Sequence, residues 1–115
     1  MFGDDTMIIN FDEIEETVIS NFKGGEKSIV SHMFVDKNNK IMYGCLEPGA
    51  SIGLHTHDTS SEIIYILNGT GKVLYDGEYE SVSEGLCHYC PKGHSHSLIN
   101  DSKSDLVFFA VVPVQ

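Results

Sequence analysis

The stretch at residues 49–69, GASIGLHTHDTSSEIIYILNG, governs how the whole chain is read. It places His55 and His57 two residues apart, and the two-residue period of a β-strand sends both imidazoles to one face, where they can share a cation. Five residues after His57, Glu62 opens the apolar run Ile63-Ile64-Tyr65-Ile66-Leu67. The β-branched content of that run predicts a strand. A carboxylate at its start can meet the two histidines. Further along, Gly93-His94-Ser95-His96 supplies another imidazole pair after Pro91. Three nitrogens and one oxygen can thus converge on one metal ion.

On either side of this stretch, short β-prone runs alternate with turn signals. Asn10 is positioned to cap one helical turn through Asp12, Glu13 and Ile14, and Thr17-Val18-Ile19 reads as a first short strand. Gly24-Gly25 breaks the chain before a strand at 28–35. The polar cluster at 36–40 then joins it to a partner at 41–47, as in a hairpin. Asn68-Gly69 is a strong short hairpin signal. Residues 72–75 and 79–82, joined by Asp76-Gly77, make a further hairpin. Strands at 86–90, 95–99 and 106–112 complete the set. Strands recurring every eight to twelve residues or so, with no convincing helix between them, predict an all-β sandwich or barrel.

Composition narrows the class. A chain of 115 residues suits one domain with a single core, 1–115, in which 1–23 is a loosely specified N-terminal segment. A formal charge of -10 repels phosphate backbones and anionic bilayers, so neither nucleic acid nor a membrane is the expected partner. The acidic N-terminus lacks a signal peptide's basic and apolar regions, and no apolar run approaches a membrane span. A cytoplasmic location is expected. Three cysteines, Cys45, Cys87 and Cys90, fit reduced thiols better than a disulfide framework. Cys87 and Cys90 have C-x-x-C spacing, but on a strand they point to opposite faces. One of the pairs His88/Cys90 and Cys87/Tyr89 must face inward, and the bend at Pro91 leaves that choice open.

The spacing carries a family resemblance. Gly49, His55, His57, Glu62 and Gly69 form one motif; Gly85, Pro91, Gly93, His96 and Asn100 form a second, fifteen residues further on. Together they resemble the paired motifs of the cupin superfamily at every fixed position. The resemblance implies a double-stranded β-helix of the jelly-roll type holding one metal inside the barrel, with His55, His57, Glu62 and His96 as its ligands. Three imidazoles and a carboxylate suit divalent Mn, Fe, Co, Ni, Cu or Zn, and four ligands leave an octahedral ion two open positions.

The remaining candidates follow from strand parity. His94 shares parity with His96, which makes it a candidate catalytic acid, base or substrate contact if it faces the cavity and a rim histidine if it does not. Tyr43, Glu47 and Cys90 are further acid/base candidates. His32 and His88 read as packing or hydrogen-bonding residues, and Asn100 as structural. Ile64 and Ile66 are expected to line the site while Tyr65 faces outward. Runs apolar on both faces, at 63–67 and 106–112, suggest a partner subunit, and small cupins are commonly dimers, so a homodimer is expected. The functional expectation is a metal-dependent enzyme of the oxygenase or decarboxylase/lyase type, acting on a small molecule in the barrel. The alternative is a metal- and ligand-binding or sensor protein without turnover. The chain contains no arginine, which excludes a bidentate arginine clamp and leaves the metal itself to hold a simple anion.

Overall fold

The computed structural model of the protein describes residues 7–115; residues 1–6, part of the loosely specified N-terminal segment, lie outside the described residues. Among the described residues, ten strands form two antiparallel sheets. In chain order they are β1 (Thr17–Ser20), β2 (Ser28–Val35), β3 (Asn39–Leu46), β4 (His55–Thr56), β5 (Glu62–Asn68), β6 (Thr70–Tyr75), β7 (Glu78–Ser83), β8 (Cys87–Cys90), β9 (Ser95–Ile99) and β10 (Leu106–Pro113). One sheet runs β1-β2-β3-β10-β5-β8 and the other β4-β9-β6-β7. This is a double-stranded β-helix, the all-β jelly roll expected from the motifs. Among the described residues there is no helix long and apolar enough to cross a membrane.

Local chemistry explains several joints. Asp36 Oδ1 accepts from the backbone N–H groups of Asn38 and Asn39, which tightens the β2–β3 hairpin. Asp76 and Gly77 both take positive φ, 47° and 87°, the pattern of the two-residue turn that joins β6 to β7. Asn10 caps the 3-10 turn Phe11–Glu13 by accepting from the Asp12 N–H. Asn68-Gly69, by contrast, is not a hairpin. Both edges of β5 are occupied, by β10 and β8, so β6 cannot pair with it and starts the other sheet instead. Gly69, with φ 93°, turns that corner where a Cβ would run into the Asp105 carbonyl.

The inward-facing rows define the core. β5 contributes Ile64 and Ile66, β10 Leu106, Phe108 and Ala110, β3 Met42 and Leu46, and β9 Leu98, all buried. Gly44 sits under the Phe108 ring, where an added Cβ would lie 2.6 Å from Cζ, so the ring fills the space a side chain would take. Burying each of these large side chains contributes roughly 1.5–3 kcal/mol. The outward face of the six-stranded sheet is also apolar. Cross-strand register aligns Phe34, Ile41, Val111, Ile63 and Tyr89 in one row, and His32, Tyr43, Phe109, Tyr65 and Cys87 in the next. Neither row contains a carboxylate or a lysine. Phe11 lies over Tyr43 and Phe109, with ring centroids 5.9 and 6.2 Å away.

Candidate metal centre

The rows change character at one end of the barrel. On β5 the inward series Ile66, Ile64 ends in Glu62, and on β9 Leu98 is followed by His96. β4 pairs His55 opposite His96. β4 is only two residues long, so His57 lies just beyond it, held by its N–H donating to the His94 carbonyl and by its own carbonyl accepting from the Gly93 N–H. Backbone ladders thus bring four side chains from three parts of the sequence to one point. Their ligand atoms all lie within 4.8 Å of one another, a cluster that can hold a metal ion.

The hydrogen bonds around the cluster dictate its chemistry. His55 Nδ1 donates to the Gly53 carbonyl at 2.7 Å; a carbonyl only accepts, so this imidazole carries its proton on Nδ1, and in the neutral ring Nε2 is bare. His57 Nδ1 meets Ser60 Oγ at 2.9 Å, and His96 Nδ1 meets His88 Nε2 at 3.0 Å. Both partners are acceptors able to hold the same tautomer. The three Nε2 atoms point inward, His57 lying 3.2 Å from His55 and 2.9 Å from His96. Glu62 Oε1 stands 3.0 Å from His57 Nε2 and 2.9 Å from His96 Nε2. Lone pairs this close repel one another unless a cation or shared protons lie between them. Such a donor set, with outer nitrogens anchored and inner ones bare, is what a divalent transition metal requires. Burial alone would raise the Glu62 carboxyl, but when shared protons and not an ion lie between it and the inner nitrogens, hydrogen bonds from His55, His57 and His96 outweigh burial and hold Glu62 well below the ordinary carboxylate range. His88 is depressed to about 4, chiefly by burial and then by the charge on His96, so at neutral pH it is the uncharged acceptor His96 needs.

A cavity of about 260 Å³ opens onto the cluster, lined by His55, His57 and Glu62 together with an apolar wall. That wall is Phe22, Met33, Met42, Ile52 and Val112. Ile64 and Ile66 do not line it, contrary to the sequence reading, because their positions on β5 lie deeper in the packed core. Lys23, Lys40 and Asp58 line the cavity too, and sequence reasoning singled out none of them. Lys40 was recoverable from parity with Met42 on β3. Phe22 and Lys23 belong to the loosely specified N-terminal segment, and only the tertiary fold brings them here.

The other sequence candidates stand apart. His94 precedes β9 and bonds through Nδ1 to Asp76 Oδ2, 2.5 Å away, and to the Tyr75 hydroxyl at 3.1 Å. It is not brought to the cluster. The His94 contact and the Ser95 N–H hold the Asp76 carboxyl below its usual range. His88 and Cys90 face inward, Cys87 and Tyr89 outward, and all three cysteines are free thiols. His32 Nδ1 donates to the Ile14 carbonyl. Asn100 is fully buried and bonds to backbone on two sides.

The architecture is therefore that of a double-stranded β-helix with three histidines and one glutamate clustered inside the barrel. The Cupin domain family matches residues 42–112, and the chain belongs to that family. It is 34% identical over 112 residues to an oxalate-binding protein of Thermotoga maritima, covering 92% of this chain and 93% of that one. It also superposes on the crystal structure of a predicted oxalate decarboxylase from Thermotoga maritima with a TM-score of 0.88 at 31% identity, covering 95% of this chain and all of that one. The polyketide cyclase RemF of Streptomyces resistomycificus matches at TM-score 0.77 and 17% identity, covering 94% of this chain and 79% of that one. At that identity the likeness is one of fold.

Proposed function

We propose that His55, His57, Glu62 and His96 bind one divalent transition metal, Mn, Fe, Co, Ni, Cu or Zn, and that the loaded site acts as an enzyme of the oxygenase or decarboxylase/lyase type on a small carboxylate. The observation that carries the metal reading is the convergence of three inward Nε2 atoms on Glu62 Oε1 while every outer imidazole nitrogen has its own partner. The carboxylate class draws support from what the Thermotoga maritima matches are called, an oxalate-binding protein and a predicted oxalate decarboxylase. When bound, the ion supplies a Lewis acid that polarises a coordinated carboxylate. The chain's own contribution is to hold that ion at the inner end of a small cavity, to shield the bound molecule with Phe22, Met33, Met42, Ile52 and Val112, and to keep Glu62 ionised.

A second reading, ligand binding or sensing without turnover, is favoured by a specific observation. The acid/base candidates His94, Tyr43, Glu47 and Cys90 do not line the cavity, where the titratable groups beyond the cluster are Asp58, Lys23 and Lys40. His94, engaged by Asp76, is read as a rim histidine. Three free thiols fit a reducing compartment, which supports a cytoplasmic location. The uncharged outer rows of the six-stranded sheet support a homodimer formed across that face.

Elemental analysis of untagged protein tests the central claim. The wild type is expected to carry about one equivalent of metal and His57→Ala none; a wild type that stays metal-free after reconstitution overturns it. Oxygen uptake or carbon dioxide release by the loaded protein, over a panel of small acids, then separates enzyme from binder. His94→Ala is expected to leave both metal and turnover unchanged. A single monomer mass at micromolar concentration in sedimentation would remove the dimer.

A further inference from the structure

The lysines of this chain are unevenly employed. All seven basic residues are lysines, set against seventeen acidic residues. Lys27 lies against Glu47 and donates to the Pro48 carbonyl, while Lys72 sits over the Tyr79 ring and reaches Asp101. Lys23 and Lys40 line the cavity above the histidine cluster, and among the described residues no carboxylate lies within ion-pair distance of either.

Both are put there by backbone. Lys40 stands on β3 in the same inward-facing row as Met42 and opposite Val112 on β10, and Met42 and Val112 both line the cavity. Lys23 belongs to the turn Phe22–Gly24; it and Asn21, which precedes the turn, take left-handed φ of 57° and 52°, a costly conformation for residues with a Cβ. The turn is clamped against residues 51–53. Gly53 N–H donates to the Phe22 carbonyl, and a Cβ on Gly53 would collide with the Lys23 carbonyl, as one on Gly25 would with that of Ser51. The Lys23 ammonium rests 5.7 Å from the centroid of the Phe22 ring, itself part of the cavity wall.

The charge balance indicates the ligand. Asp58 and Glu62 offset the two lysines among the lining residues, so the cavity is formally neutral until a divalent ion makes it doubly positive. A dianion is the complement of that charge, and the small volume restricts it to a few heavy atoms. The chain's net charge of -10 repels such a ligand at long range, and the two lysines, by balancing Asp58 and Glu62, remove that repulsion at the cavity. We propose that Lys23 and Lys40 select a small dicarboxylate dianion, with one carboxylate on the ion at the cluster and the other at the lysine pair. The assignment rests on the metal reading above. It replaces the expectation that the metal alone holds an anion. Because ammonium groups act as point charges, unlike a planar guanidinium fork, the selection is by charge more than by shape.

Calorimetric titration of manganese-reconstituted protein with malonate and with acetate tests this. The wild type should bind malonate more tightly than acetate, with an affinity that falls as salt rises. The Lys23→Ala/Lys40→Ala double variant should bind malonate about tenfold more weakly and with a flatter salt dependence. Its manganese content should be unchanged, and its acetate affinity should fall by a smaller factor than its malonate affinity. Lys40→Met, which keeps the apolar stem, should show part of the loss, and Lys27→Ala none. A double variant that retains both manganese and full malonate affinity overturns the lysine assignment while the metal reading stands. A loaded wild type that binds malonate no better than acetate overturns the dianion class. A wild type that takes up no manganese overturns the metal reading and this proposal with it.

Discussion

Asn100 and the histidine cluster lie at opposite ends of the barrel's inward-facing rows, and the two buried polar sites are finished in opposite ways. Asn100 Nδ2 donates to the carbonyls of Leu46 and Ser104, both at 2.8 Å. Its Oδ1 accepts from the Ser102 N–H and hydroxyl at 2.9 and 2.7 Å. That amide ties β3 and the loop before β10 to the end of β9 and has little capacity left for a ligand. At the other end, each imidazole of the cluster is satisfied on its outer nitrogen, and the inner nitrogens meet one another and Glu62. A buried polar group completed by its own chain contributes stability; one completed only by a further atom is where a protein binds something.

The largest effect expected from this contrast is metal-linked stabilisation. If the cluster awaits an ion, metal at a thousandfold excess over its dissociation constant should raise stability by about 4 kcal/mol. Chelator should remove that gain, and His57→Ala should not show it. Thermal denaturation with and without chelator gives the comparison, and equal lifts in wild type and variant would erase the distinction between the two ends. Asn100→Ala should behave in the reverse manner. It leaves buried carbonyls and a Ser102 donor without partners, a loss of roughly 2–3 kcal/mol that should be the same with and without metal. Reduced metal content in a folded Asn100→Ala protein would show that the two ends are coupled.

A smaller, pH-dependent effect is expected from His88. Its folded pKa, about 4, lies below the ordinary 6.5, so as pH falls the unfolded chain takes up the proton first. The stability linked to the neutral ring is fully present above pH 6.5 and is lost as pH drops towards 4, on the order of 3 kcal/mol in all. Urea midpoints of chelated protein between pH 7 and 4 should fall less steeply for His88→Gln than for wild type. Parallel slopes would remove His88 from the account. The smallest expected effect is chemical. Cys90 is buried and its thiol is pushed up to about 11, first by burial and then by Glu62 and Asp76, whereas Cys87 is exposed. Iodoacetamide at pH 8 should label Cys87 and spare Cys90 in the folded protein, and equal labelling would contradict the opposed faces of β8.

Much of the architecture was legible because it depends on local chemistry. Residues 28–35 form a strand with the expected bounds, Asp76-Gly77 makes the expected turn, and C-x-x-C spacing on a strand separates the two thiols. The candidate set His55, His57, Glu62 and His96 was legible through motif spacing, and the structure brings those four side chains together. Asn68-Gly69 misled because a turn dipeptide describes a bend and not the partner: with β10 and β8 already flanking β5, the same bend becomes a passage between sheets.

Side-chain period and backbone preference act over a few residues, so the strands, most of the turns and the identity of the clustered imidazoles and carboxylate could be read directly from the chain. Which face of β8 turns inward, that His88 backs His96, that His94 joins Asp76, and that Lys23 and Lys40 reach the same cavity emerged only once the barrel was assembled. Those pairings depend on strand register and on backbone contacts between segments far apart in the chain. Local sequence preferences do not encode them.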